Sequence, residues 1–196
     1  MRYFILPFFL LLLMAACRPE TYVPKPRGYF NIDLPERGYQ HFSQAGFPYE
    51  FDYPVYAQIT RDSIMGGKKE ENPYWININF PTLSGRIYIS YKNINGSESF
   101  EKLMEDAHQL SYIVHGKKAD YINTYKYDGG ENVHSIMYTL GGNTATRYQF
   151  LATDSVKHFL RGSLYFDVAP NVDSLLPVND FLKKDMEHLV QTLRWK

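Results

Sequence analysis

Residues 75–116 read WININFPTLSGRIYISYKNINGSESFEKLMEDAHQLSYIVHG, and two hydrophobic periods meet inside them. After Trp75, the apolar Ile76, Ile78 and Phe80 alternate with Asn77 and Asn79. Ile87, Ile89 and Tyr91 then alternate with Tyr88, Ser90 and Lys92. Period two is the pattern of strands with one buried face. Beyond Gly96 the period changes: Phe100, Leu103, Met104, Ala107, Leu110 and Val114 fall at helical spacing. Ser97 or Ser99 is placed to cap this helix, and Gly116 stands where a C-terminal glycine belongs.

Upstream, Tyr49, Phe51 and Tyr53 share one strand face with Glu50 and Asp52 on the other, and Pro54 interrupts before a second strand, Val55–Ile59. Met65–Pro73 carries glycines, charges and a proline that break regular structure, so it reads as a loop. Downstream, strands are expected over 120–127, 132–140, 145–153 and 158–168. The turns between them fall at Asp128-Gly129-Gly130, Gly141-Gly142-Asn143 and Asp154-Ser155. Such short connections make hairpins and an antiparallel meander, and the paired glycines fit turns that need positive φ. A last helix from about 178 to 194 turns Val178, Phe181, Leu182, Leu189, Val190 and Leu193 inward. The order β-β-β-β-α-β-β-β-β-α predicts an α+β domain over 29–196, an antiparallel sheet flanked by two main helices.

The whole chain has 196 residues with 21 basic and 21 acidic side chains. A balanced charge offers no long-range field for nucleic acid, so nucleic acid is not an expected partner. The 17 Tyr and 13 Phe exclude a disordered chain, because aromatics at that density demand burial. Lys68-Lys69, Lys117-Lys118 and Lys183-Lys184 are scattered pairs that read as solvation.

At the start, MRYFILPFFLLLLMAA (1–16) has a basic residue, an apolar core and then small residues. The apolar run is shorter than the roughly 20 residues that span a bilayer, and it reads as a secretory signal peptide. Met14-Ala15-Ala16-Cys17 matches the bacterial lipobox, with Met where Leu is more usual. Cys17 is the only cysteine in the chain, so it is the expected lipidation site and no disulfide framework exists. The alternative is a plain signal peptide with a cysteine behind it by chance. Residues 17–28 then form a lipidated cysteine and a tether in which Pro19, Pro24 and Pro26 favour a semi-rigid extended spacer. No acidic cluster follows Cys17, which favours the periplasmic face of the outer membrane over surface export.

Few residues of the sequence fall into motifs that carry chemistry. None of the six histidines lies in an HExxH motif. Glu101, Glu105 and His108 share one helix face, and Asp185, Glu187 and His188 on the last helix could complete a metal cluster with them. Both sets fall on polar faces that read as solvated, so no metal is expected. There is no GxSxG elbow and no phosphate-cradling glycine motif, so no cofactor is expected. Asp154-Ser155 with His158 is a superficial Ser–His pair at a turn, where the side chains need not converge. Arg161-Gly162 inside a strand points to a bulge or a close backbone approach, and Arg161 either binds a partner carboxylate or completes an internal ion pair. An envelope hydrolase would need a cleft joining Asp154 or Asp167 to a histidine. A tyrosine-rich wet face could serve for protein docking.

Element order, lengths and the closing Trp195 resemble the Mog1/PsbP-like sandwich. More specifically, the lipobox, Pro24-Lys25-Pro26-Arg27-Gly28-Tyr29-Phe30 and Ile32-Asp33-Leu34-Pro35 look like the opening of the gliding-motility lipoprotein GldD family of Bacteroidetes. So do Trp75–Ile78 with Phe80-Pro81, Gly85–Tyr88 with Ser90–Lys92, Lys118–Asp120, Thr153–Phe166 and the terminal Trp195-Lys196. That resemblance implies a membrane-anchored part of the gliding machinery, which is coupled to type IX secretion, with other envelope proteins of that machinery as partners. It brings no catalytic residue, and Cys17 is the one site it transfers. A periplasmic module binding a small molecule, lipid or glycan is the alternative.

Overall fold

The computed structural model describes residues 31–61, 64–65, 68–69 and 72–196. The signal segment 1–16, Cys17 and the tether 17–28 lie outside the described residues. Among the described residues twelve strands and two α-helices follow in order: β1 (Tyr39–Phe42), β2 (Tyr49–Pro54), β3 (Gln58–Arg61), β4 (Ile64–Met65), β5 (Lys68–Lys69), β6 (Ile76–Phe80), β7 (Gly85–Asn93), α1 (Ser97–His108), β8 (Ile122–Asp128), β9 (His134–Leu140), β10 (Tyr148–Thr153), β11 (His158–Phe166), α2 (Val172–Thr192) and β12 (Arg194–Trp195).

The expected α+β class and its two main helices are present. Seven strands form one antiparallel sheet in the order β3-β6-β7-β11-β10-β9-β8. The meander from β8 to β11 is the one the turns predicted. The first strands differ from expectation. Pro54 does not interrupt one sheet but ends β2, and β2 pairs with β1 and β12 in a separate three-stranded sheet. The chain turns at Pro54–Ala57, where Ala57 N–H donates to Pro54 O at 3.0 Å. It enters the large sheet only at Gln58. A short hairpin of β4 and β5, two residues a strand, overlaps the start of the expected loop 65–73.

Alternation gives the large sheet two different faces. Ile76, Ile78, Phe80, Ile87, Ile89, Tyr91, Met137, Phe150, Leu160 and Leu164 form the main core with α2, which contributes Phe181, Leu182, Met186, Leu189 and Val190. Each such side chain contributes about 1.5–3 kcal/mol on full burial. The small sheet packs beside α2 and touches the large sheet directly, the rings of Tyr49 and Tyr91 lying 5.7 Å apart. On the opposite face Leu103 and Ala107 of α1 cover Tyr138, Leu140, Leu151 and Phe159.

Both helices depart from their expected limits. Asn171 caps α2, accepting from Ser174 N–H at 3.2 Å, so the helix begins before Pro177 rather than after it. A proline in the second turn forfeits one backbone bond, and the cap and the buried face offset it. Neither Ser97 nor Ser99 caps α1: the position belongs to Gly96, at φ +92°. Past His108 the winding loosens to a π-helix over Gln109–Val114. The looser turn re-aims the following side chains. Ser111 is therefore buried, while Leu110 and Val114, expected inward, stand exposed. Gly116 opens a short 3-10 turn instead of closing the helix.

Glycine use is split. Gly142 takes φ +83°, as the turn argument required, whereas the left-handed residue of the β8–β9 turn is Asn132 at φ +58°. Gly162 pairs in unbroken register with Phe150. A Cβ there would drive into the Phe150 ring, so close approach, not a bulge, explains this glycine.

Candidate functional site

Three segments distant in sequence meet at one end of the large sheet and enclose a cleft of about 710 Å³. They are the β8–β9 turn at Gly130–Asn132, the β10–β11 turn from Asp154 to His158, and the terminal residues Arg194–Lys196.

Asp154 builds the middle segment. Its Oδ1 accepts the backbone N–H groups of Val156 at 2.9 Å and of Lys157 and His158 at 2.8 Å. Burial alone would raise its pKa, but these three donors and the adjacent His158 hold it below the usual carboxylate range. Thr153 Oγ1 accepts from Ser155 N–H at 2.9 Å and donates to His158 O at 2.7 Å, while Ser155 sits at φ +63°.

The His158 ring is fixed from three sides. Its Nδ1 lies 2.7 Å from the Tyr91 hydroxyl, which donates to Asn93 Oδ1 at 2.7 Å. Tyr91 has one proton, so with that proton on Asn93 the imidazole N–H makes the other bond. Nε2, 4.0 Å from Asp154 Oδ2, is then an acceptor. Burial, reinforced by the charge of Lys157 and opposed by Asp154, pushes the His158 pKa down. The third side is Trp195, stacked on the imidazole at 5.0 Å and 12°. Trp195 Nε1 donates to Asn132 O at 3.2 Å. Lys196 latches the terminus, donating from N–H to Pro48 O at 3.0 Å and from Nζ to Ser43 Oγ at 2.7 Å.

His158 therefore bonds Tyr91 through its ring and Asp154 through its backbone N–H, not Ser155, and the Ser–His pair does not assemble. Asp154 does reach a histidine, but Asp167 lies past the opposite end of β11 and is exposed. The cleft has a fixed aromatic wall and the exposed charges of Lys157 and Arg194 at its rim. That arrangement suits recognition.

The other candidate residues scatter. Glu101, Glu105 and His108 are exposed on α1, on the opposite face of the sheet from α2. They share no site with Asp185, Glu187 and His188. Among the described residues no group of three His, Cys, Asp or Glu is placed to hold a metal ion. Asp185 is not solvated: at 1% exposure it accepts from Arg37 Nε at 3.4 Å, Tyr39 at 3.0 Å and Tyr56 at 2.5 Å. The small sheet and residues 37–39 cover a second side of α2, which a single-sheet reading leaves in water. Glu187 accepts from Tyr127 at 2.6 Å, and His188 stacks on Tyr39 at 3.7 Å. Among the described residues Arg161 meets no carboxylate within ion-pair distance and donates to Gln149 Oε1 instead. Among the described residues the tyrosines are mostly packed, and the large exposed rings are Tyr121 and Tyr125.

Comparison with known proteins gives a sequence-family match over residues 19–195, to the family described as gliding motility lipoprotein GldD. No curated protein matches the chain. Among solved structures, the chain is similar to the solution structure of cyanobacterial PsbP (CyanoP) from Synechocystis sp. PCC 6803. The two share 12% identity over 83% of this chain and 95% of that one, with a TM-score of 0.48.

Proposed function

We propose, from the premise that this chain belongs to the gliding motility lipoprotein GldD family, that it acts without catalysis in assembling or stabilising the gliding and type IX secretion machinery. The observation that carries this reading is the family match across 19–195, nearly the whole chain behind the lipobox cysteine. The Cys17 thiol takes a diacylglycerol before residues 1–16 are cleaved off, residues 17–28 space the domain from its lipid, and the domain of 29–196 docks to envelope partners at the periplasmic face of the outer membrane. Among the described residues no helix is long and apolar enough to cross a membrane, and acyl chains supply about 0.8 kcal/mol per buried CH₂ instead. Anchoring raises the effective concentration of neighbouring components, so weak contacts at a surface such as the Trp195–His158 cleft suffice.

The test is complementation of a deletion strain with the Cys17→Ala chain. Loss of membrane retention together with loss of surface spreading supports tethered assembly. Normal spreading with an unanchored chain contradicts it.

A further inference from the structure

Arg161 is a cation set into the sheet with no carboxylate within ion-pair distance among the described residues. It lies on β11, on the face covered by α1, and burial pushes its pKa down. Its guanidinium donates to the neutral Gln149 Oε1, which also accepts from Ser111 Oγ at 3.2 Å. Gln149 is fully buried, with its Nε2 unpartnered, and its register neighbour Ser163, 3% exposed, has an unpartnered hydroxyl. A buried charge without a counter-charge is costly, and buried polar groups normally find partners.

Arg161 also lines a cavity of about 80 Å³ between α1 and the sheet, which Gln149 and Ser163 do not reach. Its charged residues are Arg161 and Lys92 against Asp106, an excess of one positive charge, and Leu103, Leu110 and Phe159 supply apolar walls. The volume is less than about three waters' share of the liquid, which fits a carboxylate with a short apolar stem. Guanidinium pairs with carboxylate through strong, charge-assisted bonds. We propose that this groove is a carboxylate-binding site, with Arg161 taking the charge at the floor and Lys92 at the rim.

The test is thermal unfolding of the purified full-length chain with propionate as a free acid, with N-acetylaspartate amide as an acidic side chain, and with propionamide as the neutral isostere. A carboxylate at hundredfold saturation is expected to raise Tm by roughly 5–10 °C while propionamide does nothing. A response to propionate assigns a free acid, and a response to the aspartate analogue alone assigns a partner's side chain. Arg161→Met should keep or raise the Tm of the free protein and abolish the response. Equal responses to acid and amide, or none, overturn the proposal, as does a carboxylate response that survives Arg161→Met. If Arg161→Met does not fold, the Arg161 Nε–H resonance of the natural chain decides: a shift with either carboxylate probe, absent with propionamide, supports the site, and no such shift overturns it.

Discussion

Tyr39 donates its hydroxyl to Asp185 at 3.0 Å, and through that contact the first strand of the small sheet is tied to the last helix. Tyr56 reaches the other oxygen of the same carboxylate, and Arg37 shares the first, donating from Nε at 3.4 Å while its guanidinium stacks over the Phe181 ring at 4.1 Å and donates to Phe181 O at 2.9 Å. Asp185→Ala strands these donors around a buried gap. The expected loss is about 3–5 kcal/mol, read from urea unfolding, whereas Tyr56→Phe should cost about 1 kcal/mol. Equal, small losses in both variants would show that the cluster is not a clamp.

Alkaline pH should act on the same region. Burial, then Asp185, pushes Tyr39 up to about 12, and burial likewise pushes Tyr91, Tyr127 and Tyr148 to about 12. Unfolded tyrosine ionises near 10. A folded pKa raised above the unfolded one gives stability that is whole below about 10 and is lost as pH rises toward 12. Phenolate absorbance should therefore titrate in two groups, the later one coinciding with unfolding.

Acid works through histidine. Burial, then the charge of Arg161, lowers the pKa of His115, and burial lowers that of His158. The unfolded state then binds more protons below about 6.5. Stability should be full above that pH and fall as pH drops through the folded values. His115→Gln should flatten part of the slope in a Tm-versus-pH series, and an unchanged slope would remove His115 from the account.

Gly162→Ala should destabilise by about 1–3 kcal/mol through overpacking against Phe150. Adding Phe150→Leu should recover part of that loss in a double-mutant cycle. Additive losses would mean that the two positions do not compete for space.

What could be read from the residues alone was local. β6 and β7 announce themselves by alternation, β9 to β11 by the turn residues between them, and the inner face of α2 by its spacing. What could not be read depends on partners far along the chain. The pairing of β12 with β2 joins Trp195 to Tyr49, and no local period marks it. Asp185 looks solvent-facing until the small sheet covers that side of α2. The loosened turn at Gln109–Val114 moves Ser111 inward and Val114 outward. Three separate segments make the Trp195–His158 cleft, and the only hints were an aspartate at a turn and a closing tryptophan.

Deletion of the gene in its native host, scoring surface spreading and type IX cargo secretion in the same strain, tests the central claim most directly. The account predicts that both are lost and that the natural chain restores both. Spreading and secretion that continue undiminished would contradict a role in assembling the shared machinery.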